Sequence, residues 1–264
     1  EYGREKGKEI VAAQKRGGTH VRTNGLIYSD EKFERDLENA GYIFEKTKTG
    51  YYVSMNPLLK KLFIEGRITY QSLTSTYAAL ALDVKDGQNV LDVCSAPGGK
   101  AIFVAEKNPT ANVVACDIHP HRVELIGAYA RRMHVKNVTP TLFDGTAFNK
   151  EWAGYFDRVL CDVPCSAMGV VKKQLDVLLN RNENDISALK KVQYSILDNA
   201  KNYVKRGGLL VYSTCTIFKE ENDDNVEEFL KNNNDFEKYP SEFDGQYLPC
   251  DTHDGFFIRR LRRK

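Results

Sequence analysis

The stretch Asn89-Val-Leu-Asp-Val-Cys-Ser-Ala-Pro-Gly-Gly-Lys100 constrains the fold more than any other part of the chain. Val90, Leu91 and Val93 form an apolar run of the kind that a parallel sheet buries on both faces. A Pro-Gly-Gly turn follows, and Lys100 opens a helical segment. Strand, glycine turn and helix is the unit with which an α/β sheet receives a ligand at its carboxyl edge. Gly98 and Gly99 let the backbone take positive φ and approach a ligand closely. The helix start adds free N–H groups.

The alternation continues downstream. Strands are expected at 89–94, 112–117, 138–143, 157–162 and 208–214, with helices near 98–107, 120–133, 185–204 and 220–231. This is the pattern of a doubly wound, mostly parallel α/β sheet with right-handed crossovers. Residues 69–82 read as a helix leading into it, 241–253 as loop, and 255–264 as a last strand with a basic tail. Upstream lies a small α+β module. It has a strand at 20–24, a helix capped by Ser29 with Phe33 and Leu37 on one face, and Gly41 closing that helix. Strand-like runs at Tyr42 and Tyr51 flank a Lys-Thr-Gly turn, and the charged residues 3–16 read as helix. The division expected is 1–68 and 69–264.

The turn after Val93 is not a P-loop, since Cys94 and Ala101 stand where Gly and Ser/Thr are required, and G-x-G-x-x-G is absent. Instead, acids close successive strands: Asp117, Asp144 and Asp162. A carboxylate about 20 residues past the glycine turn can take both ribose hydroxyls. Any one such aspartate could merely cap the next helix. Three in order fit an adenosine without a pyrophosphate, which is S-adenosyl-L-methionine.

Formal net charge is only +2, so any nucleic-acid footprint must be local. No signal peptide and no apolar run of spanning length is evident, so a cytoplasmic protein without membrane contact is expected. The six cysteines do not suggest a disulfide framework, and no C-x-x-C pair suggests zinc. Cys116, Cys161 and Cys250 read as buried structural thiols.

Two cysteines read differently. Cys165 follows the fourth strand in Asp162-Val-Pro-Cys165-Ser166, and Cys215 follows the fifth in Ser213-Thr-Cys215-Thr216. Adjacent carboxyl ends share one crevice with the cofactor. A thiolate beside a methyl sulfonium suits a weak carbon nucleophile such as carbon 5 of cytosine, because adding sulfur to carbon 6 makes the ring an enamine. Asp162 can hold a proton at ring nitrogen 3, and the second cysteine can assist release.

These three motifs resemble the signature motifs of the RNA (cytosine-5) methyltransferase family that includes the bacterial Sun/RsmB proteins. The resemblance runs from about Thr19 onward and includes Arg22-Thr-Asn-Gly, Gln71-Ser-Leu-Thr-Ser and Asp254-Gly-Phe-Phe-Ile-Arg-Arg-Leu. It implies a Rossmann-like class I methyltransferase with a seven-stranded sheet, acting on RNA, most of all 16S ribosomal RNA, with tRNA as the alternative. It implies Cys215 as nucleophile and Cys165 as the release cysteine. It puts Cys94, Ser95, Ala96, Pro97, Gly98, Gly99 and Lys100 at the methionine end of the cofactor, Asp117 and Arg122 at the ribose, Asp144 at the adenine amino group, and Asp162 near the sulfonium and target base. Residues 1–68 would position RNA, no protein partner is implied, and a monomer is expected. The opening Glu1-Tyr-Gly is similar to the segment that follows a NusB-like domain in these proteins, so such a domain is expected to be missing here.

There are departures. The family has Gly after Pro-Cys-Ser where this chain has Ala167, and Arg and Pro further on where it has Lys172 and Lys173. Lys lacks the bidentate fork of Arg. Phosphate contacts are expected from Lys60-Lys61, Arg131-Arg132, Lys172-Lys173 and residues 259–264, each of which could equally be a solvated face. Two other classes stay open: a small-molecule methyltransferase with incidental cysteines, and a non-catalytic RNA-binding or ribosome-assembly factor.

Overall fold

A computed structural model of the chain describes residues 3, 5, 7–9, 19–171 and 183–264. The readings of Lys172, Lys173 and residues 180–182 lie outside the described residues, and of 3–16 the described ones are helical.

The N-terminal module is a four-stranded antiparallel sheet carrying two helices. Its strands are β1 (Thr19–Thr23), β2 (Phe44–Lys46), β3 (Tyr51–Val53) and β4 (Ile68–Tyr70), in spatial order β2-β3-β1-β4. The first helix, α1 (Asp30–Asn39), starts where expected: Ser29 accepts a hydrogen bond from Lys32 N at 3.2 Å, and Asp30 and Glu31 suit the positive helix end. Phe33 and Leu37, four apart, are fully buried.

Helix α2 (Pro57–Ile64) was not expected. Its signal is local: Asn56 Oδ1 accepts from Leu59 N at 2.9 Å and Pro57 opens the first turn. Residues 68–70 are not the head of a helix over 69–82. β-Branched Ile68 and Thr69 and aromatic Tyr70 pair antiparallel with β1, and α3 (Leu73–Ala81) begins only after Ser72.

The larger sheet alternates as the sequence implies. It runs through β5 (Asn89–Asp92), α4 (Gly99–Lys107), β6 (Asn112–Asp117), α5 (Pro120–Arg132), β7 (Val138–Leu142), β8 (Phe156–Asp162), α6 (Glu183–Ala200), β9 (Val204–Thr214), α7 (Asp223–Asn232), β10 (Phe236–Lys238), β11 (Gly245–Tyr247) and β12 (Phe256–Arg263). The order is β10-β12-β9-β8-β5-β6-β7. β5 to β9 pair parallel, and β12 is antiparallel to β9. The Rossmann-like reading therefore holds. Among the described residues the strand count is eight rather than seven, because β10 and β11 pair with opposite ends of the same strand, β12, on the side away from β9. β11 lies inside the stretch expected as loop.

β9 starts at Val204, four residues early, with a register irregularity opposite β8. Helices α3, α4 and α5 cover one face with a core that includes Ile102, Phe103 and Ile126; α6 and α7 cover the other with Ile196, Leu197 and Phe229. The direction of strand order reverses at β5, so the carboxyl ends of β5 and β8 form the crevice of the sheet. Among the described residues, no helix is long and apolar enough to cross a membrane.

The module is bolted to α4 and α5 by buried polar groups. Arg22 and Glu106 are both about 1% exposed and form an ion pair. Arg22 Nε also donates to Gln71 Oε1 at 2.8 Å, and Gly25 N donates to Glu106 Oε1 at 3.0 Å. Asn24 Nδ2 donates to Gly66 O at 2.9 Å and Met133 O at 2.7 Å. Gly66 has φ +70°, and a Cβ there would lie 1.8 Å from Arg132 O, so no other residue fits.

Several cations expected to contact phosphate serve this framework. Arg132 donates to Phe63 O, Ile68 O and Thr69 Oγ1. Arg259, Arg262 and Arg263 pair with Asp223, Glu237 and Asp235. Lys60, Lys61 and Arg131 are exposed.

A candidate active site at the carboxyl edge of the sheet

A cavity of about 420 Å³ opens at the crevice. That volume falls in the ordinary range for small-molecule sites. Its wall includes Cys94, Ala96, Asp117, Arg122, Asp144, Asp162, Cys165 and Cys215. Residues from five strand exits and loops thus meet in one place, as the order of acids and cysteines implies. Ile118, His119, Phe143, Gly145 and Thr146 also line it and were not anticipated, because nothing in their local sequence marks them. Ser95, Pro97, Gly98, Gly99 and Lys100 do not line it.

The glycine turn stands behind the wall. Gly98 has φ +109° and caps α4, a conformation that favours glycine. Ser95 N donates to Cys116 O at 2.7 Å, and Gly98 N to Ser95 O at 2.7 Å. Lys100 points across the crevice, and its Nζ lies 2.5 Å from Asp162 Oδ2. Burial works against the Lys100 charge, but the Asp162 carboxylate outweighs it and holds the ammonium above its ordinary value. Asp162 Oδ1 accepts from Ser213 Oγ at 2.7 Å. Both carboxylate oxygens are therefore fixed, one from strand β9 and one from helix α4.

The other acids carry a local role as well. Asp117 accepts from His119 N at 3.0 Å and pairs with Arg122 at 3.3 Å; Arg122 in turn donates to Ala96 O at 3.0 Å. Asp144 Oδ1 accepts from Thr146 N at 2.9 Å and Thr146 Oγ1 at 2.7 Å. The capping reading does not hold: α5 begins at His119 without a side-chain cap, and the turn after Asp144 is followed by a helical turn capped by Asn149. These turn bonds orient the two carboxylates without occupying a helix end. Three carboxylates against one arginine make the wall suited to a cationic ligand. Apolar Ile118 and Phe143 beside them suit an adenine ring, so the residues present fit S-adenosylmethionine.

Asp92 is the last residue of β5, two positions before Cys94 of the wall, and is 1% exposed. Burial pushes its carboxyl up to about 7, the Asp162 charge adds to this, and Lys100 opposes it. A carboxyl raised in the fold is most stabilising below its unfolded value, and that contribution is lost as pH rises from about 4 through about 7. Asp92→Asn should therefore match the parent protein in stability near pH 4 and exceed it by roughly 2–4 kcal/mol at pH 8. Urea unfolding at both pH values tests this; an equal difference at both would sink it.

The sulfurs of Cys165 and Cys215 lie 3.2 Å apart in hydrogen-bond contact, both as free thiols. The contact with Cys215 raises the Cys165 thiol well above its ordinary value; burial and the nearby charges of Cys215 and Glu221 raise it further. Cys116 and Cys161 are fully buried, and burial raises both. Cys250 is only half-buried, against the expectation of a core thiol, and contacts Thr252 Oγ1.

The Cys165 loop is tightly held. Gly169 N donates to Cys215 O at 2.9 Å, and Gly255 N donates to Gly169 O at 2.8 Å. A Cβ on Gly169 would lie 2.3 Å from Gly255 O. Ala167 sits at φ +60°, the left-handed region. A glycine there loses nothing sterically, whereas an L side chain is strained by about 1–2 kcal/mol. Ala167→Gly should therefore leave the loop in place and stabilise the protein by about 1 kcal/mol, after the extra unfolded-state entropy of glycine is subtracted. A lowered melting temperature would contradict this.

Residues 79–262 match the family model described as 16S rRNA methyltransferase RsmB/F. The chain is 36% identical over 216 residues to ribosomal RNA small subunit methyltransferase B of Pasteurella multocida, covering 76% of this chain and 48% of that protein. It is 37% identical over 223 residues to the probable ribosomal RNA small subunit methyltransferase B of Bacillus subtilis, covering 76% and 49%. The chain thus spans about half the length of the curated relatives it matches. Among solved structures it is similar to PH0851, with TM-score 0.92, 27% identity, and coverage of 98% of this chain and 63% of that one. It is also similar to a methyltransferase homologue from Pyrococcus horikoshii, with TM-score 0.84, 25% identity, and coverage of 98% and 91%. With the family model spanning most of the chain and the same parallel sheet beneath it, this chain belongs to the 16S rRNA methyltransferase RsmB/F family of S-adenosylmethionine-dependent methyltransferases.

Proposed function

We propose that this chain methylates carbon 5 of a cytosine in RNA, foremost small-subunit 16S ribosomal RNA, through a covalent cysteine–cytosine intermediate. The observation that carries this is the pair of thiols 3.2 Å apart beside an aspartate whose two oxygens are already oriented. The cofactor would be held by Asp117 and Arg122 at the ribose, Asp144 at the adenine amino group, and Cys94 and Ala96 at the methionine end, with the rest of the glycine turn behind them. When bound, S-adenosylmethionine supplies an electrophilic methyl group.

The protein's own residues prepare the acceptor. Cys215 adds its sulfur to carbon 6 of the ring while its thiol proton passes to ring nitrogen 3, which leaves a neutral enamine whose carbon 5 is nucleophilic. Asp162, steadied by Ser213 and Lys100, accepts a hydrogen bond from the protonated nitrogen 3 edge. Bonding Cys215 to carbon removes both the sulfur contact and the charge that keep the proton on Cys165. Cys165 then ionises more readily and can take the carbon 5 proton as the Cys215–carbon 6 bond breaks. The base has to leave its stack, at an energy of a few kcal/mol unless it is already unpaired, so a loop or open helix is the favoured target. Residues 1–68 position that RNA and 69–264 carry the chemistry. The protein works as a cytoplasmic monomer.

Trapping tests the reading. Protein, S-adenosylmethionine and small-subunit RNA containing 5-fluorocytosine should give a denaturation-resistant protein–RNA adduct, since fluorine cannot leave as a proton. Cys215→Ala should give none while still binding cofactor by calorimetry. An adduct retained in Cys215→Ala would reject Cys215 as the nucleophile.

A further inference from the structure

Behind the two cysteines lies a buried polar cluster that no step above uses. Glu221 sits in the turn between β9 and α7 and is 0% exposed. Its Oε1 accepts from Ser166 Oγ at 2.5 Å, and its Oε2 accepts from Ser166 N at 2.9 Å and Gln193 Nε2 at 2.8 Å. Gln193, from α6, also donates to Pro164 O at 2.9 Å. Both neighbours of Cys165 in the chain are therefore tied to one carboxylate, directly at Ser166 and through Gln193 at Pro164. Ser166 Oγ also lies 2.8 Å from Thr216 Oγ1, the residue after Cys215. The turn itself is fixed by Tyr212, whose hydroxyl donates to Glu221 O at 2.6 Å.

We propose that Glu221 is a positioning residue that sets Cys165 against Cys215 and gives Cys165 its separate role in release. The proposal rests on the cysteine–cytosine reading for that role, but the asymmetry it assigns is a property of the protein alone. Two thiols in contact are chemically alike until something distinguishes them. Glu221 is that element on geometric grounds: it holds the backbone on either side of Cys165, whereas Cys215 is held from the Gly169 side. The groups around Cys165 are Cys215 and Tyr212 from β9 and its exit, and Glu221 before α7; α6 contributes uncharged Gln193. Among the described residues, Glu221 is the charged group that approaches from the Cys165 side of the pair, and its charge disfavours ionisation there. A buried carboxylate that accepts three hydrogen bonds is also poorly replaced, since a lost acceptor leaves buried donors unmatched.

The test compares parent protein, Glu221→Gln and Ser166→Ala, the second being a smaller removal that keeps the carboxylate. Two readouts are taken. The first is the rate of iodoacetamide labelling at each cysteine, read by peptide mass spectrometry from about pH 6 to about pH 9 without RNA. The second is adduct formation with ordinary cytosine-containing RNA and S-adenosylmethionine, alongside Cys165→Ala. In Glu221→Gln, labelling of Cys165 should quicken about tenfold at a given pH, equal to a shift of about one pH unit, while Cys215 changes by less than about twofold. Turnover should fall with an adduct accumulating, and KM and cofactor affinity should stay near the parent values. Ser166→Ala should show the adduct and a smaller labelling change. A merely structural role would move both cysteines and cofactor affinity together, and that outcome overturns the proposal. So does Cys165 labelling unchanged in both variants. If labelling changes as expected but neither Glu221→Gln nor Cys165→Ala yields an adduct, the asymmetry stands and the cytosine reading is what fails.

Discussion

Cys165→Ala protein, given S-adenosylmethionine and ordinary cytosine-containing RNA, should stall as a covalent protein–RNA adduct, with turnover reduced by roughly 10²–10⁴-fold. Cys215 is untouched in this variant, so addition to carbon 6 proceeds. What is lost is the thiol 3.2 Å from the Cys215 sulfur, which the proposed mechanism uses for release. The opposite substitution, Cys215→Ala, should abolish turnover and leave no adduct. Gel mobility under denaturing conditions separates the two. Turnover near the parent value in Cys165→Ala would remove that cysteine from the mechanism, whatever Cys215 does.

Glu106→Ala should destabilise the protein by roughly 3–5 kcal/mol, because it leaves Arg22 as a buried charge without its counterpart. Arg22 and Glu106 are both about 1% exposed. Removing Glu106 also strips Gly25 N of its acceptor, and Arg22 already has one nitrogen, Nη2, without a partner. Replacing both residues with apolar side chains of similar volume should recover most of the loss, since the ion pair itself contributes little over a packed apolar contact. Urea midpoints of the single and double variants decide it. A loss below about 1 kcal/mol in Glu106→Ala would mean that water reaches the pair.

The parallel sheet was legible because its strands are apolar runs separated by helical spacing, and because each exit carries an acid or a cysteine. Cys94, Asp117, Asp144, Asp162, Cys165 and Cys215 meet in one cavity for that reason. Lys100 was legible as a residue but not as a direction, since its partner, Asp162, lies 62 positions away. Glu221 was invisible for the same reason: a glutamate before a helix reads as an exposed charge until Ser166 and Gln193 are brought to it. In the small module, β4 was absorbed into a helix because its three residues are too short a run to show a period of two. Helix α2 did have a readable start in Asn56-Pro57. The arginines of β12 looked like a phosphate-binding tail because charge alone, without the facing Asp223, Asp235 and Glu237, cannot distinguish a paired cation from a free one.

The hydrogen bonds between Gly255, Gly169 and Cys215 have a bearing on the order in which the molecule can be made. During synthesis both cysteines leave the ribosome well before residues 255–263. The strand that follows Gly255 is the neighbour of β9, and the N–H of Gly255 itself is what pins the Cys165 loop. Strands β5 to β9 can pair as they emerge, so a cofactor crevice can exist on a nascent chain. The loop that carries Cys165, however, is fully pinned only when residues 255–263 are in place. Methyl transfer capacity would therefore arise late and all at once, and a chain halted short of β12 would bind cofactor without being able to use it.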